Sequence, residues 1–306
     1  MQTPMNILTQ HPIRKSKAQK RAFRDDLQAY AAKMGYNCTI EKGVLRANNV
    51  ILGDPDSAKY LNTAHYDTPA RMPFPNFITP CNLPMFLLYQ LVMTIVMVFL
   101  PAIPAMIVSA CTDDFALSYL TWYGLFMLQT FLMMFGPANK TNVNDNTSGV
   151  IAALTLAGKL PQEYRDKVCF VLFDLEEAGL IGSASYRNTH KKATDDQIVL
   201  NLDCIGDGEE IVIFPNKKFR SNKLKMDNIR SLTCEKEGRK IVVHEKGFAY
   251  CPSDHAHFPY GAGIMAFRRA KWIGLYCDKI HTNRDTVLEE NNITMITDAI
   301  LALVCK

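Results

Sequence analysis

Three observations predict an α/β fold, a mostly parallel central sheet interrupted by a helical hairpin. Short, continuously apolar runs alternate with segments of helical period over most of the chain, as in a sheet buried on both faces. Acidic and histidine-bearing signatures follow several of those runs directly, at the strand ends where open parallel sheets bind their ligands. One long stretch, from Met72 to Asn139, contains no Lys, Arg or Glu and only Asp113 and Asp114 as charges, so it stands outside the alternating pattern.

The elements follow in chain order. Residues 15–34 repeat Ala18, Phe23, Leu27 and Ala31 on one face and stop at Gly35, which predicts a first helix. Strands are expected over 37–41 and 44–51, then a turn at Gly53-Asp54-Pro55-Asp56, then a strand over 60–64 that delivers His65 and Asp67 at its carboxyl end. Beyond the apolar stretch, a helix is expected over 147–160, a buried strand over 167–174, a helix over 182–190 and strands over 197–203 and 210–214. A helix over 223–237 and strands over 241–244 and 263–268 follow. Thr286 and Glu289 have the spacing of a capping box opening a last helix that runs to about Cys305.

The apolar stretch divides in two. Residues 83–112 are almost all large and apolar, with Pro101 and Pro104 expected to kink a helix, and residues 115–135 form a second run. A bilayer core is spanned by about 20 helical residues, so the two runs joined by Cys111-Thr112-Asp113-Asp114 predict a transmembrane hairpin. A soluble helical lid or dimerisation arm is the alternative, but such arms keep a polar face and neither run has one. Basic residues flank the hairpin only at its outer ends (Arg71, Lys140) and its turn is acidic, which predicts two spans with both ends in the cytoplasm. The expected organisation is a discontinuous α/β domain, residues 1–81 and 138–306, carrying an inserted hairpin at 82–137 in contact with the lipid bilayer over 83–135.

Composition excludes other classes. The 306 residues carry a net charge of +4, or +6 outside the apolar stretch, with no basic stripe interleaved with aromatics, so no nucleic-acid partner is expected. The densest basic run, residues 14–24, reads as the exposed face of the first helix, with weak attraction to anionic headgroups as the functional alternative. Nine cysteines without a C-x-x-C pair read as reduced, small buried hydrophobes. With no apolar signal-peptide core at the N-terminus, the soluble part is expected in the cytoplasm. There is neither a G-x-S-x-G turn nor a phosphate-binding glycine loop.

The chemistry-bearing residues are His65-Tyr66-Asp67, Asp145-Asn146, Glu176-Glu177, Asp203 and His281. Two imidazoles with several carboxylates are the donor types that bind a pair of Zn²⁺ ions, with one carboxylate left over as a base. Each motif alone is weak; their order along the chain and their placement at strand ends strengthen the set. His65-Tyr66-Asp67-Thr68, Asn144 to Gly149, Phe173 to Gly179, Leu200 to Asp203 and His281-Thr282 together resemble the co-catalytic zinc aminopeptidases, a family that includes glutamate-carboxypeptidase-like enzymes and glutaminyl cyclases. Ser253-Asp254-His255 with Gly261-Ala262-Gly263-Ile264 resembles a further block of that family. The resemblance covers roughly residues 15–81 and 138–306.

That resemblance implies a three-layer α/β/α fold with a mixed, mostly parallel central sheet and two Zn²⁺ per chain. It implies His65 and Asp203 on one ion, Glu177 and His281 on the other, and Asp145 bridging. Glu176 is then the general base and Asp67 orients His65. The implied activity is removal of N-terminal residues from peptides or aminoacyl amides, membrane-associated ones included. Alternatives are a one-zinc glutaminyl cyclase, whose branch commonly has Trp where this chain has Ile280, and a catalytically inactive membrane scaffold. Asp254 could contact a substrate amine or cap a helix. His255 and His257 read as polar rim residues, and His11, His190 and His244 as ordinary histidines. Asp285 is expected to brace the His281 loop and Asp174 to fix its strand end.

Overall fold

The computed structural model describes residues 3–74 and 76–306. Two helices open the chain, α1 (Pro4–Gln10) and α2 (Lys17–Lys33). Each starts with a capping box, from Thr3 to Asn6 and from Ser16 to Gln19, which satisfies N–H groups that have no partner inside the helix. Strands β1 (Cys38–Lys42), β2 (Asn48–Leu52) and β3 (Tyr60–His65) follow, then the hairpin helices α3 (Leu83–Thr112) and α4 (Phe115–Phe135). The remainder alternates: α5 (Gly149–Lys159), β4 (Val168–Phe173), α6 (Ile181–Thr189), α7 (Lys191–Thr194), β5 (Ile198–Leu202), β6 (Glu210–Pro215), α8 (Lys217–Ser221) and α9 (Lys223–Arg230). The chain closes with β7 (Cys234–Lys236), β8 (Arg239–Val243), β9 (Gly261–Ala270), β10 (Gly274–Tyr276) and α10 (Glu290–Val304).

The strands form one mixed sheet in the order β1-β2-β4-β3-β5-β9-β6-β8-β7, with β10 added to β9. Its middle, β4-β3-β5-β9, is parallel, and antiparallel pairs lie towards both margins. Successive residues of β4 face opposite sides: Val168, Phe170 and Leu172 pack in a core with residues of α5 and α10, while Cys169, Val171 and Phe173 pack with Tyr186 of α6 and Phe258. Burial on both faces explains the unbroken apolar runs, and helices on either side of the sheet make the three layers expected.

Several local expectations give way. The helix anticipated over 223–237 ends at Arg230, and Cys234–Lys236 instead forms an edge strand paired with β8. The capping box of Thr286 and Glu289 does not form: Glu289 precedes α10 without a side-chain cap and pairs with Arg239 at 3.0 Å. The basic run at 14–24 is not simply a solvated face. Arg14 is fully buried and Lys20 nearly so, the latter 2.6 Å from Asp174.

The hairpin leaves the body where 70 and 138 pair, with Arg71 N–H donating to the Pro137 carbonyl and Asn139 N–H to that of Pro69. Helix α3 continues unbroken through Pro101 and Pro104. Most of its surface is exposed, and large apolar side chains face outward on both hairpin helices, such as Leu91, Phe99 and Met106 on α3 and Leu120 and Phe131 on α4. Among the described residues α3 is the helix long and apolar enough to cross a membrane. Helix α4 has 21 residues, but Ser118, Tyr119, Thr121, Tyr123 and Gln129 dilute its apolar character.

Candidate metal centre

Five loops at one end of the parallel strands converge on a cavity of about 390 Å³ lined by His65, Asp145, Glu176, Glu177, Asp203 and His281. The register explains the convergence. His65, the last residue of β3, pairs with Phe173 at the end of β4, so Asp174 to Glu177 emerge beside it. Asp203 follows β5, whose Asn201 is level with Thr63 of β3. Asp145 lies on the turn before α5, and that turn is locked to the end of β5 by Asn146. The Asn146 side chain donates to the Leu202 carbonyl at 2.9 Å and accepts the Cys204 and Gly149 N–H groups at 3.2 and 3.0 Å. A Cβ on Gly149 would lie 2.3 Å from the Leu202 carbonyl oxygen, so only glycine allows this approach.

Asp145 stands at the centre. Its Oδ1 is 3.2 Å from His65 Nε2 and its Oδ2 is 3.0 Å from His281 Nε2. His65 Nε2 also lies 3.7 Å from Asp203 Oδ1, and His281 Nε2 lies 3.5 Å from Glu177 Oε2. Ligand atoms of His65, Glu176 and Asp203 form one close group, and those of His65, Asp145 and Glu177 another. Three residues with left-handed backbone adjoin these side chains: Leu175 (φ 58°), Cys204 (φ 53°) and His281 itself (φ 59°). Non-glycine residues adopt this conformation at a cost, and such strain concentrates where side chains must be aimed.

A divalent cation fits this donor set. Asp203 Oδ1 and Glu177 Oε1 are buried without a hydrogen-bond partner among the described residues, and buried polar atoms left in that state call for an ion or water. Electrostatics agree. Burial, together with neighbouring carboxylates, pushes Glu176 and Glu177 well above the usual carboxylate range, His65 opposing. Burial disfavours charge on His65, yet Glu176, Asp145 and Asp203 outweigh it and raise its pKa well above the ordinary value. Against burial, the His281 and His65 imidazoles hold Asp145 below the usual carboxylate range, while Glu176, Glu177 and His65 draw protons; such a crowd of carboxylates is short of positive charge, and imidazole with carboxylate is a zinc-type set.

Supporting contacts reach well beyond these six residues. Asp67 lies 3.5 Å from His65 Nδ1 and accepts the N–H groups of Glu176 and Glu177 at 3.1 and 3.3 Å, tying the β3 and β4 loops together. Ser253 Oγ donates to Asp203 Oδ2 at 2.6 Å. Asp285 accepts the N–H groups of Asn144 and Asp145 at 2.7 and 3.1 Å, so it braces the Asp145 turn rather than the His281 loop. The Arg14 guanidinium, which sequence reasoning missed, bridges the carbonyls of Tyr66 (2.6 Å) and His11 (2.8 Å) and the Thr147 hydroxyl (3.0 Å). It thereby links the residue after His65 to the turn carrying Asp145. Asp174 is held by Lys20 and by the Asn48 N–H at 3.0 Å, at the end of β4.

The remaining candidates separate clearly. His255 is not a rim residue: it is buried, burial pulls its pKa down to about 4, and a Cβ on Gly263 would strike its ring at 2.5 Å. Asp254 is fully buried, and burial pushes it up to about 7 against the opposing charge of His65. His11 pairs with Asp26 at 2.7 Å, and His190 with Glu41 and Asp56 at 2.7 and 2.8 Å, all away from the cavity.

Comparison with known proteins follows the same lines. The model of peptidase family M28 matches residues 130–304, a span that holds Asp145, Glu176, Glu177, Asp203 and His281 but not His65 or Asp67. Aminopeptidase YwaD of Bacillus subtilis is 28% identical over 135 residues, covering 39% of this chain and 28% of that protein, so the chain spans under a third of that relative's length. Similar solved structures include a glutaminyl cyclase of Porphyromonas gingivalis (TM-score 0.59, 15% identity, 99% of this chain and 96% of that one). The LapA aminopeptidase of Legionella pneumophila (0.57, 14%, 99% and 68%) and a leucine aminopeptidase precursor of Bacteroides thetaiotaomicron (0.57, 15%, 98% and 94%) share the same fold.

Proposed function

The chain belongs to peptidase family M28, and from that premise we propose that it is a membrane-tethered, zinc-dependent aminopeptidase acting on peptides and aminoacyl amides. The observation that carries the reading is Asp145, whose two carboxylate oxygens face different imidazoles at 3.2 and 3.0 Å. A carboxylate so divided suits a bridge between two cations. His65 and Asp203 would hold one ion and Glu177 and His281 the other, with Asp145 common to both. Bound there, the cations would supply Lewis acidity towards an amide carbonyl and a water of lowered pKa.

The chain's own residues do the rest. Glu176, beside a ligand but free to point into the cavity, takes the proton from the attacking water and delivers it to the departing amine. Asp67 holds the His65 ring in place and fixes the backbone of both glutamates.

The hairpin makes this a membrane enzyme in the same reading, with residues 82–137 inserted into a catalytic body formed by 1–81 and 138–306. Both α3 and α4 cross the bilayer. Arg71, Lys140 and Lys15, the last 3.2 Å from the Met134 carbonyl, cluster at the hairpin base, while Asp113 and Asp114 form the tip, so the body faces the cytoplasm. Substrates are then met at the bilayer surface.

A glutaminyl cyclase is the second reading, favoured by the fold likeness to the Porphyromonas gingivalis enzyme along nearly the whole of both chains. Metal analysis and turnover separate the two. The expected result is two zinc ions per chain and release of the amine from aminoacyl anilides. The Glu176→Gln variant should keep both ions and lose about 10²–10⁴-fold in kcat. One ion with cyclisation of N-terminal glutamine would replace the aminopeptidase reading, and a metal-loaded wild type inert towards both substrates would end it.

A further inference from the structure

Helix α3 has 30 residues and its partner α4 has 21, and the two meet at the Asp113-Asp114 turn. At about 1.5 Å per residue, α3 therefore runs roughly 13 Å further towards the body than α4 does. Those extra turns do not project into open solvent. Phe86, Tyr89 and Gln90, spaced to lie on one face of the helix, line the same cavity as His65, Glu176 and His281, while Leu87, Leu88 and Leu91 face outward. Ring contacts fasten this face to the body. Phe86 packs on Tyr250 with centroids 4.9 Å apart, and Tyr89 on Phe77 at 6.2 Å. Asn82, which caps α3, donates to the Ile273 carbonyl at 2.9 Å and fixes where the helix starts.

The apolar side of the cavity is consequently a composite. Tyr250 and Ile280 come from the catalytic body, Phe77 from the segment leading into the hairpin, and Phe86 and Tyr89 from the hairpin itself. We propose that the first turns of α3 complete the subsite for the substrate's N-terminal side chain, and that this subsite takes a bulky apolar residue, leucine or phenylalanine. The insertion is then a determinant of specificity as well as an anchor. This ring-lined side rewards each buried methylene, and its polar side chains, Asn76, Thr79 and Gln90, are uncharged and give a lysine or glutamate side chain no ion-pair partner. The inference rests on the aminopeptidase reading for its choice of substrates.

The test uses the full-length, zinc-loaded protein in detergent with leucyl, phenylalanyl, alanyl and lysyl anilides. The wild type should prefer the first two. Phe86→Ala, which opens the wall, should lower the leucyl-to-alanyl ratio of kcat/KM by about tenfold. Gln90→Trp, which narrows the pocket, should lower the phenylalanyl-to-alanyl ratio instead, so the two variants err in different ways and a general folding defect cannot imitate both. Ratios unchanged in both variants, or a wild type that prefers lysyl anilide, would overturn the proposal. If the wild type cleaves no anilide, the aminopeptidase reading fails on its own and calorimetric binding of leucinol against alaninol decides the subsite. Tighter leucinol binding that Phe86→Ala abolishes upholds the proposal, and equal binding of the two overturns it.

Discussion

Asp285 acts through the backbone: its two oxygens take the N–H groups of Asn144 and Asp145 and so set the turn from which Asp145 projects. Burial pushes its carboxyl up to about 7, with the Asp145 charge adding to the rise. In Asp285→Ala those N–H groups lose their acceptor and the central carboxylate loses its aim. Metal affinity, measured by competition with a chelator, should fall about 10–100-fold while the fold survives; unaltered affinity would show that the turn is held without it. The sequence points to six of the side chains that line the cavity because imidazoles and carboxylates recur in a set order at strand ends, though each motif alone is weak. It hides Asp285's partner, and it hides Arg14 and Lys20 altogether. A buried cation is identified by the distant groups that neutralise or accept from it, here Tyr66, Thr147 and Asp174, and no local pattern of charge encodes them.

Among elements, legibility follows burial. Strands β3, β4 and β5 are sandwiched between helices, so each is buried along its whole length and mostly apolar, and their ends fall within a residue or so of expectation. Residues 234–236 are exposed at the sheet edge; their Glu and Lys favour helix locally, and pairing with β8 around Gly238 (φ 73°) overrides that preference. A further edge contact carries a pH dependence. His190, at the end of α6, joins Glu41 of β1 and Asp56 of the turn before β3. Burial lowers its pKa, but the Asp56 and Glu41 carboxylates outweigh burial and the net direction is upward from 6.5. A histidine raised on folding stabilises fully below its unfolded pKa, and the contribution is lost as pH rises through the folded value. Discounted for the exposed Asp56, the clamp contributes on the order of 1 kcal/mol. His190→Gln should therefore lower Tm by about 2–4 °C near pH 6, with the gap closing by pH 9. A gap independent of pH would mean the ring acts by packing, for instance on Tyr186 at 4.5 Å, and not by charge.

At the scale of the whole molecule, one helix carries two kinds of surface. The upper part of α3 presents exposed leucine, isoleucine, phenylalanine and methionine that water would not tolerate as a free surface, while its lower turns wall the cavity. If both hairpin helices cross a bilayer, the Asp113-Asp114 turn and the catalytic body lie on opposite sides. The chain carries its own probes for this arrangement. Cys111 is exposed near the tip of the hairpin and Cys234 is exposed on β7 of the body. In sealed cells or vesicles with the cytoplasmic face inside, a membrane-impermeant maleimide should label Cys111 and spare Cys234, and permeabilising the membrane should expose both. The Cys111→Ser variant should then lose the label in sealed vesicles, and the wild type should stay in the membrane pellet through alkaline washing. Labelling of Cys234 from outside would invert the topology. Release by alkali, with both cysteines labelled together, would instead make the hairpin a soluble arm, and its apolar faces would need another partner.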